Sequence, residues 1–147
     1  MDAFHTEARP KFMRLCLKCQ DTLIDEDWRC LSCGFSPTWI GEIPCFAVDL
    51  ALQNDGMAAD SHIHLDALQD QSFWFRARNR LIQDLARCHF PGARRVLEVG
   101  CGTGYVTRAL RSALPLATTT ASEIYANGLE YAKRRLGNDV EFLQMDA

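Results

Sequence analysis

Two clusters of residues in this chain could do chemistry. The first is Glu98-Val99-Gly100-Cys101-Gly102-Thr103-Gly104, three glycines at alternate positions behind an acid. Val96 and Leu97 precede it, and Val106, Ala109, Leu110, Ala113 and Leu114 follow at helical spacing up to Pro115. The stretch therefore reads as a short buried strand that turns through glycines onto an amphipathic helix. Glycines tolerate positive φ and let a ligand approach the backbone, and the unpaired N–H groups that open a helix can hydrogen-bond a polar group. The result is a nucleotide-sized cradle. The second cluster is a pair of C-x-x-C knuckles, Cys16 with Cys19 and Cys30 with Cys33. Four thiolates close a tetrahedral Zn²⁺ site and leave no position for water, which is structural rather than catalytic chemistry.

The first cluster departs from the dinucleotide fingerprint, which needs a third glycine three positions after the second so that a pyrophosphate can rest on the helix N-terminus. Tyr105 stands there, and Glu98 lies two residues before the first glycine. An acid at the strand tip repels a pyrophosphate but suits a cationic cofactor with a sulfonium and an amino group. Glu98-Val99-Gly100-Cys101-Gly102-Thr103-Gly104 resembles motif I of class I S-adenosylmethionine-dependent methyltransferases.

Further positions follow at the spacing of a βαβαβ unit. Residues 117–122, rich in β-branched Thr, read as a second strand that ends at Glu123, about 20 residues past the glycines, where an acid can hold both ribose hydroxyls. Tyr125, Leu129, Ala132 and Leu136 repeat at helical spacing, Gly137-Asn138 breaks the helix, and Val140 to Leu143 alternates as a third strand. The resemblance implies that Gly100, Gly102 and Gly104 form the cofactor turn, that Glu98 and Glu123 bind the donor, and that Asp146, just past the third strand, contacts the adenine amino group. It implies too that Cys101, Ile124 and Ala147 line the pocket through backbone or apolar contacts. No catalytic residue can be named.

A disulfide reading of the knuckles requires an oxidising compartment, yet Met1 to Lys11 is polar and has no apolar core of a signal peptide. The other cysteines, Cys45, Cys88 and Cys101, fit free thiols in a reducing cytoplasm. So short a segment buries little apolar surface, whereas structural Zn²⁺ contributes about 10 to 16 kcal/mol to folding. An iron centre or vestigial knuckles are the alternatives. Trp39 to Phe46 reads as extended chain with a turn at Gly41 and a proline, Pro44, at an edge. Residues 15–47 resemble the small zinc ribbon that precedes several methyltransferase domains, in which a Gly-x-Ile-Pro segment completes the ribbon.

Residues 49–71 read as a linker with one short helical turn, and His62 and His64 as solvated loop histidines. From Ser72, an N-cap residue, Trp74, Ala77, Leu81, Ile82, Leu85 and Ala86 fall on one helical stripe that stops before Pro91-Gly92. Phe73 to Arg80 resembles the segment ahead of motif I that covers the methionyl end of the cofactor. In that role Arg78 meets the methionyl carboxylate; otherwise it is a solvated arginine on the helix flank. The formal charge is −3, from 16 basic and 19 acidic side chains. A Zn²⁺ held by four thiolates adds −2, for about −5, which disfavours a nucleic-acid surface.

The expected organisation is α/β: a zinc ribbon over residues 1–48, a linker over 49–71, and the first three strands of a Rossmann-like methyltransferase sheet over 72–147. A complete domain of this class has about seven strands and more than 150 residues. The expectation is therefore a fragment or split gene product with an unpaired sheet edge open to self-association. The expected function is methyl transfer from S-adenosylmethionine to an unknown small-molecule acceptor in the cytoplasm, with no membrane partner and no lipid anchor. The alternatives are an rRNA-type nucleic-acid methyltransferase, or a non-catalytic zinc-binding interaction module.

Overall fold

A computed structural model gives the architecture, which is described for residues 14–23, 27–52 and 61–146. The chain divides into two compact units, Met1–Pro37 and Thr38–Ala147. In the first, β1 (Arg14–Leu15) pairs antiparallel with β2 (Thr22–Leu23). Buried Cys16, Leu23 and Cys30 make its small core, with Trp28, Cys33 and Phe35 packed against them. Two tight turns follow the knuckles: Gln20 N–H donates to Cys16 O, and Gly34 N–H donates to Cys30 O.

The second unit begins with β3 (Thr38–Ile40) and β4 (Ile43–Cys45), joined across Gly41 at φ +58°. Then come α1 (Val48–Ala51), α2 (Ser61–Gln69), α3 (Phe73–His89), β5 (Arg95–Val99), α4 (Tyr105–Ala113), β6 (Thr118–Glu123), α5 (Ala126–Leu136) and β7 (Val140–Gln144). The sheet order is β3-β4-β7-β6-β5, with β5, β6 and β7 parallel. The three expected strands and the helices between them are thus present, as two consecutive parallel βαβ units.

The 38–45 segment differs from expectation. It does not complete the ribbon; as the β3–β4 hairpin it extends the five-stranded sheet beside β7. Pro44 has no N–H to offer, and the β4–β7 pairing is made past it, at Cys45 opposite Gln144, with Phe46 N–H donating to Gln144 O. Gln144 is fully buried and seals the junction: its Nε2 donates to the carbonyls of Ala47 and Ile124, and its Oε1 accepts from Ala47 N–H.

Register places Val96 and Glu98 on the same sheet face as Thr119, Ala121, Val140 and Phe142. That face is covered. Leu129, Ala132 and Leu136 of α5 pack on Ala121, Val140 and Phe142, while Ala86 of α3 and Ala113 and Leu114 of the α4 end pack with Val96. Leu97 and Val99 alternate to the other face and are exposed. The stripe expected to bury α3 is also largely open: Trp74, Leu81 and Leu85 are exposed, and the buried residues are Asn79 and Ala86. Asn79 Nδ2 donates to Tyr105 O, so α3 is fastened to α4 by a polar contact that apolar periodicity does not report. Among the described residues, no helix is long and apolar enough to cross a membrane.

Candidate cofactor site and candidate metal centre

The glycine bend has the backbone that its sequence demands. Gly100, Gly102 and Gly104 hold φ of +74°, +52° and +74°, the left-handed region open to glycine at little cost. A Cβ on Gly100 or Gly102 would meet nothing within 4 Å, so the bend is open at those positions. Gly104 has a different duty: a Cβ there would stand 3.0 Å from Ala132 Cβ and from Leu136 Cδ1, and its absence lets α4 start against α5. The N–H groups of Gly100 and Cys101 both donate to Ser122 O at 2.9 Å, which ties the bend to the end of β6.

Glu123 closes that tie. Its Oε2 accepts from Gly102 N–H at 2.9 Å, and its Oε1 accepts from Ile124 N–H at 2.8 Å and Tyr125 N–H at 3.3 Å. The second-strand acid is thus held by backbone amides at the mouth of the bend. Glu98 accepts from Thr107 Oγ1 at 2.6 Å. Burial pushes its carboxyl up to about 7, against the pull of the Thr107 hydroxyl and the Arg78 guanidinium, and the Glu123 charge adds to the rise. Cys101 is buried beside both acids, and burial with those two charges drives its thiol far above the usual range. It is an inert neighbour rather than a nucleophile.

Asp146 follows β7 and is exposed, and the Met145 N–H donates to Glu123 O at 3.2 Å, so the ends of β6 and β7 are linked. Ala147 lies outside the described residues. The structure thus brings Glu98, the glycines, Cys101, Glu123 and Ile124 together at the ends of β5 and β6, with Asp146 on the adjacent strand end. Arg78 is stacked over Trp74 at 4.7 Å and Phe75 at 5.2 Å, and its buried Nε has no partner. Its charge acts on Glu98. Arginine and carboxylate of this kind flank a site suited to an amino acid's own carboxylate and ammonium.

Sequence reasoning missed α2 as a contributor. Gln69 Oε1 accepts from Thr103 Oγ1 at 2.5 Å, inside the glycine bend, and both residues are buried. Asp70 pairs with Arg108 at 2.5 Å, and Asp66 pairs with Arg135. His62, expected in solvent, is 2% exposed. The missed signal is polar and long-range: a helix held by amides, acids and arginines leaves no apolar stripe to read.

In the first unit the four knuckle sulfurs all lie within 4.8 Å of one another. Cys16 Sγ is 3.6 Å from Cys33 Sγ, and Cys19 Sγ is 3.5 Å from Cys30 Sγ. Tetrahedral Zn–S bonds of about 2.3 Å set neighbouring sulfurs about 3.8 Å apart, so the cluster fits the ion, whereas a disulfide needs about 2.05 Å. Burial opposes a Cys16 thiolate, yet the amides of Cys19 and Lys18 and the neighbouring thiols bring it down to about 7. The Asp21 amide favours the Cys19 thiolate, but burial and the three facing sulfurs push it up to about 12. Four mutually opposed thiols are what a divalent cation resolves by deprotonating them.

Known proteins share the second unit's sequence. Residues 96–147 match the family described as the methyltransferase domain. The match takes in β5, α4, β6, α5 and β7, about a third of the chain. The chain is 39% identical over 70 residues to the biotin biosynthesis bifunctional protein BioCD of Bordetella avium, covering 48% of this chain and 15% of that one. It is 51% identical over 43 residues to a malonyl-[acyl-carrier protein] O-methyltransferase of Anoxybacillus flavithermus, covering 29% of this chain and 17% of that one. Among solved structures, Streptomyces venezuelae DesVI aligns at a TM-score of 0.47 and 26% identity, over 61% of this chain and 36% of its own. The chain thus spans about a sixth of the length of these two curated relatives.

Proposed function

We propose that this chain binds S-adenosylmethionine at the ends of β5, β6 and β7 and serves methyl transfer to a small-molecule acceptor, with Zn²⁺ held by Cys16, Cys19, Cys30 and Cys33. The observation that carries the reading is the open glycine bend with Glu123 fastened to it through Gly102 N–H and Glu98 standing behind it. Glu98 would face the amino group and sulfonium, Arg78 the methionyl carboxylate, Glu123 the ribose hydroxyls and Asp146 the adenine amino group. Cys101 and Ile124 would line the pocket, and Ala147 beside Asp146 would extend it.

When bound, the donor supplies a methyl group on a sulfonium, which passes to the acceptor as the neutral thioether leaves. Such an in-line displacement asks the chain chiefly for position, and fixed acids around a rigid bend provide it. Glu98 also favours the positively charged donor over its neutral-sulfur product once it is ionised. The relatives named above act, by name, in biotin biosynthesis and on malonyl-[acyl-carrier protein], which supports an acceptor from small-molecule metabolism. Cysteines held reduced, four of them as the proposed zinc ligands and Cys45, Cys88 and Cys101 as thiols, fit a reducing compartment such as the cytoplasm.

Calorimetric titration of the zinc-loaded chain with S-adenosylmethionine tests the reading. Saturable one-to-one binding that Glu123→Ala abolishes is the expected result. A folded, zinc-loaded sample that takes up no donor would favour a zinc-binding interaction module instead.

A further inference from the structure

Gly128 stands in the first turn of α5, a place where helices disfavour glycine. A Cβ built on it would lie 2.8 Å from His62 Nε2, 3.2 Å from His62 Cδ2 and 3.3 Å from Glu123 Cγ. The glycine is therefore what lets an imidazole carried by α2 press against the α5 backbone next to the stem of Glu123. The ring is buried to 2% exposure, and its Nδ1 has no hydrogen-bond partner. Both oxygens of Glu123 are already held by the amides of Gly102, Ile124 and Tyr125.

A buried ring nitrogen left without a partner is costly, and an apolar side chain of similar size would fill the space without that cost. The position makes sense if a ligand completes the bond. The far end of α2 is fixed in the glycine bend by Gln69 on Thr103, and its flank is fixed by Asp66 and Asp70 on Arg135 and Arg108. One helix thus reaches from the bend to the second-strand acid. Burial holds the His62 pKa below its ordinary value even though Glu123 pulls it upward, which leaves a neutral ring able to donate or accept.

We propose that His62 is a ligand-contacting residue of the donor site, giving the ribose of a bound adenosyl group a hydrogen bond beside Glu123. This rests on the donor-binding reading above and adds a residue that neither the glycine motif nor the strand-end acids contain.

The test uses the zinc-loaded 147-residue chain with S-adenosylhomocysteine as the probe. His62→Phe should weaken binding about tenfold, the loss of one hydrogen bond, and His62→Gln, which keeps a donor and an acceptor, should recover part of it. In the unsubstituted chain, the His62 imidazole ¹⁵N resonances should shift on saturation with S-adenosylhomocysteine or adenosine and stay in place with methionine alone. Unchanged resonances at saturation, or a folded His62→Phe variant that binds as tightly as the unsubstituted chain, would overturn the proposal while leaving the donor reading intact. Absence of any binding by the unsubstituted chain would overturn both.

Discussion

Glu98 is the residue whose charge state matters most to a cationic ligand. Its carboxyl, raised by burial to about 7 from an ordinary 4.5, keeps its proton in the folded chain over a range where the unfolded chain has lost it. The folded state therefore binds more protons between those values, and stability falls as pH rises from 4.5 through 7, by on the order of 3 kcal/mol in all. Donor binding runs the other way. If the ionised form is the competent one, S-adenosylmethionine affinity should rise up to about tenfold between pH 6 and pH 8. Glu98→Gln should flatten both profiles, and calorimetry and thermal melts across that range read them directly. The glycines can be separated in the same manner. Gly104→Ala meets Ala132 and Leu136 at 3.0 Å in addition to its φ of +74°, whereas Gly100→Ala carries the backbone strain alone. The first should cost roughly 2 to 4 kcal/mol and the second about 1 to 2 kcal/mol of stability by chemical denaturation.

At the scale of elements, α2 is held by side-chain polar contacts rather than by a buried stripe. Arg135 is only 10% exposed and faces Asp66 and Asp70, and Arg108 also meets Asp70. The Arg135–Asp66 pair is partly buried and so loses strength in salt less than the exposed Arg108–Asp70 pair, and removing Asp66 leaves the buried Arg135 charge without its nearest partner. Asp66→Asn with Asp70→Asn should therefore raise amide hydrogen exchange across residues 61–69 well above that of α4 and α5. Equal protection before and after would contradict the assignment of those acids as the clasp. The same helix shows why part of the site was illegible. Strand, glycine bend and helix announce themselves through local periodicity, so β5, α4, β6, α5 and β7 could be read within a residue or two. His62, Gln69 and Asp66 serve partners far along the chain, and nothing in their immediate neighbourhood encodes that. The β3–β4 hairpin was legible as extended chain with a Gly41 turn, but its neighbour was not: pairing with β7 depends on Gln144 and Cys45, which no local pattern connects.

The whole molecule divides into a unit with very little core and a unit organised by a sheet. Met1–Pro37 has three buried core side chains among its described residues, two of them knuckle cysteines. So little apolar burial does little to offset the entropy of ordering the chain, and the proposed Zn²⁺ would supply the difference. One equivalent of zinc per chain is expected by elemental analysis. Chelation, or Cys30→Ser, should abolish the near-ultraviolet signal of Trp28, while Trp74 in the second unit reports an intact fold. The central claim concerns that second unit, where acids on consecutive parallel strand ends surround a glycine bend. Its most direct test is a crystal structure of the zinc-loaded chain with S-adenosylhomocysteine. The account predicts ribose hydroxyls within hydrogen-bond distance of Glu123, the amino group toward Glu98 and the adenine beside Asp146; a nucleoside bound away from the Gly100 to Gly104 bend, with those carboxylates untouched, would contradict it.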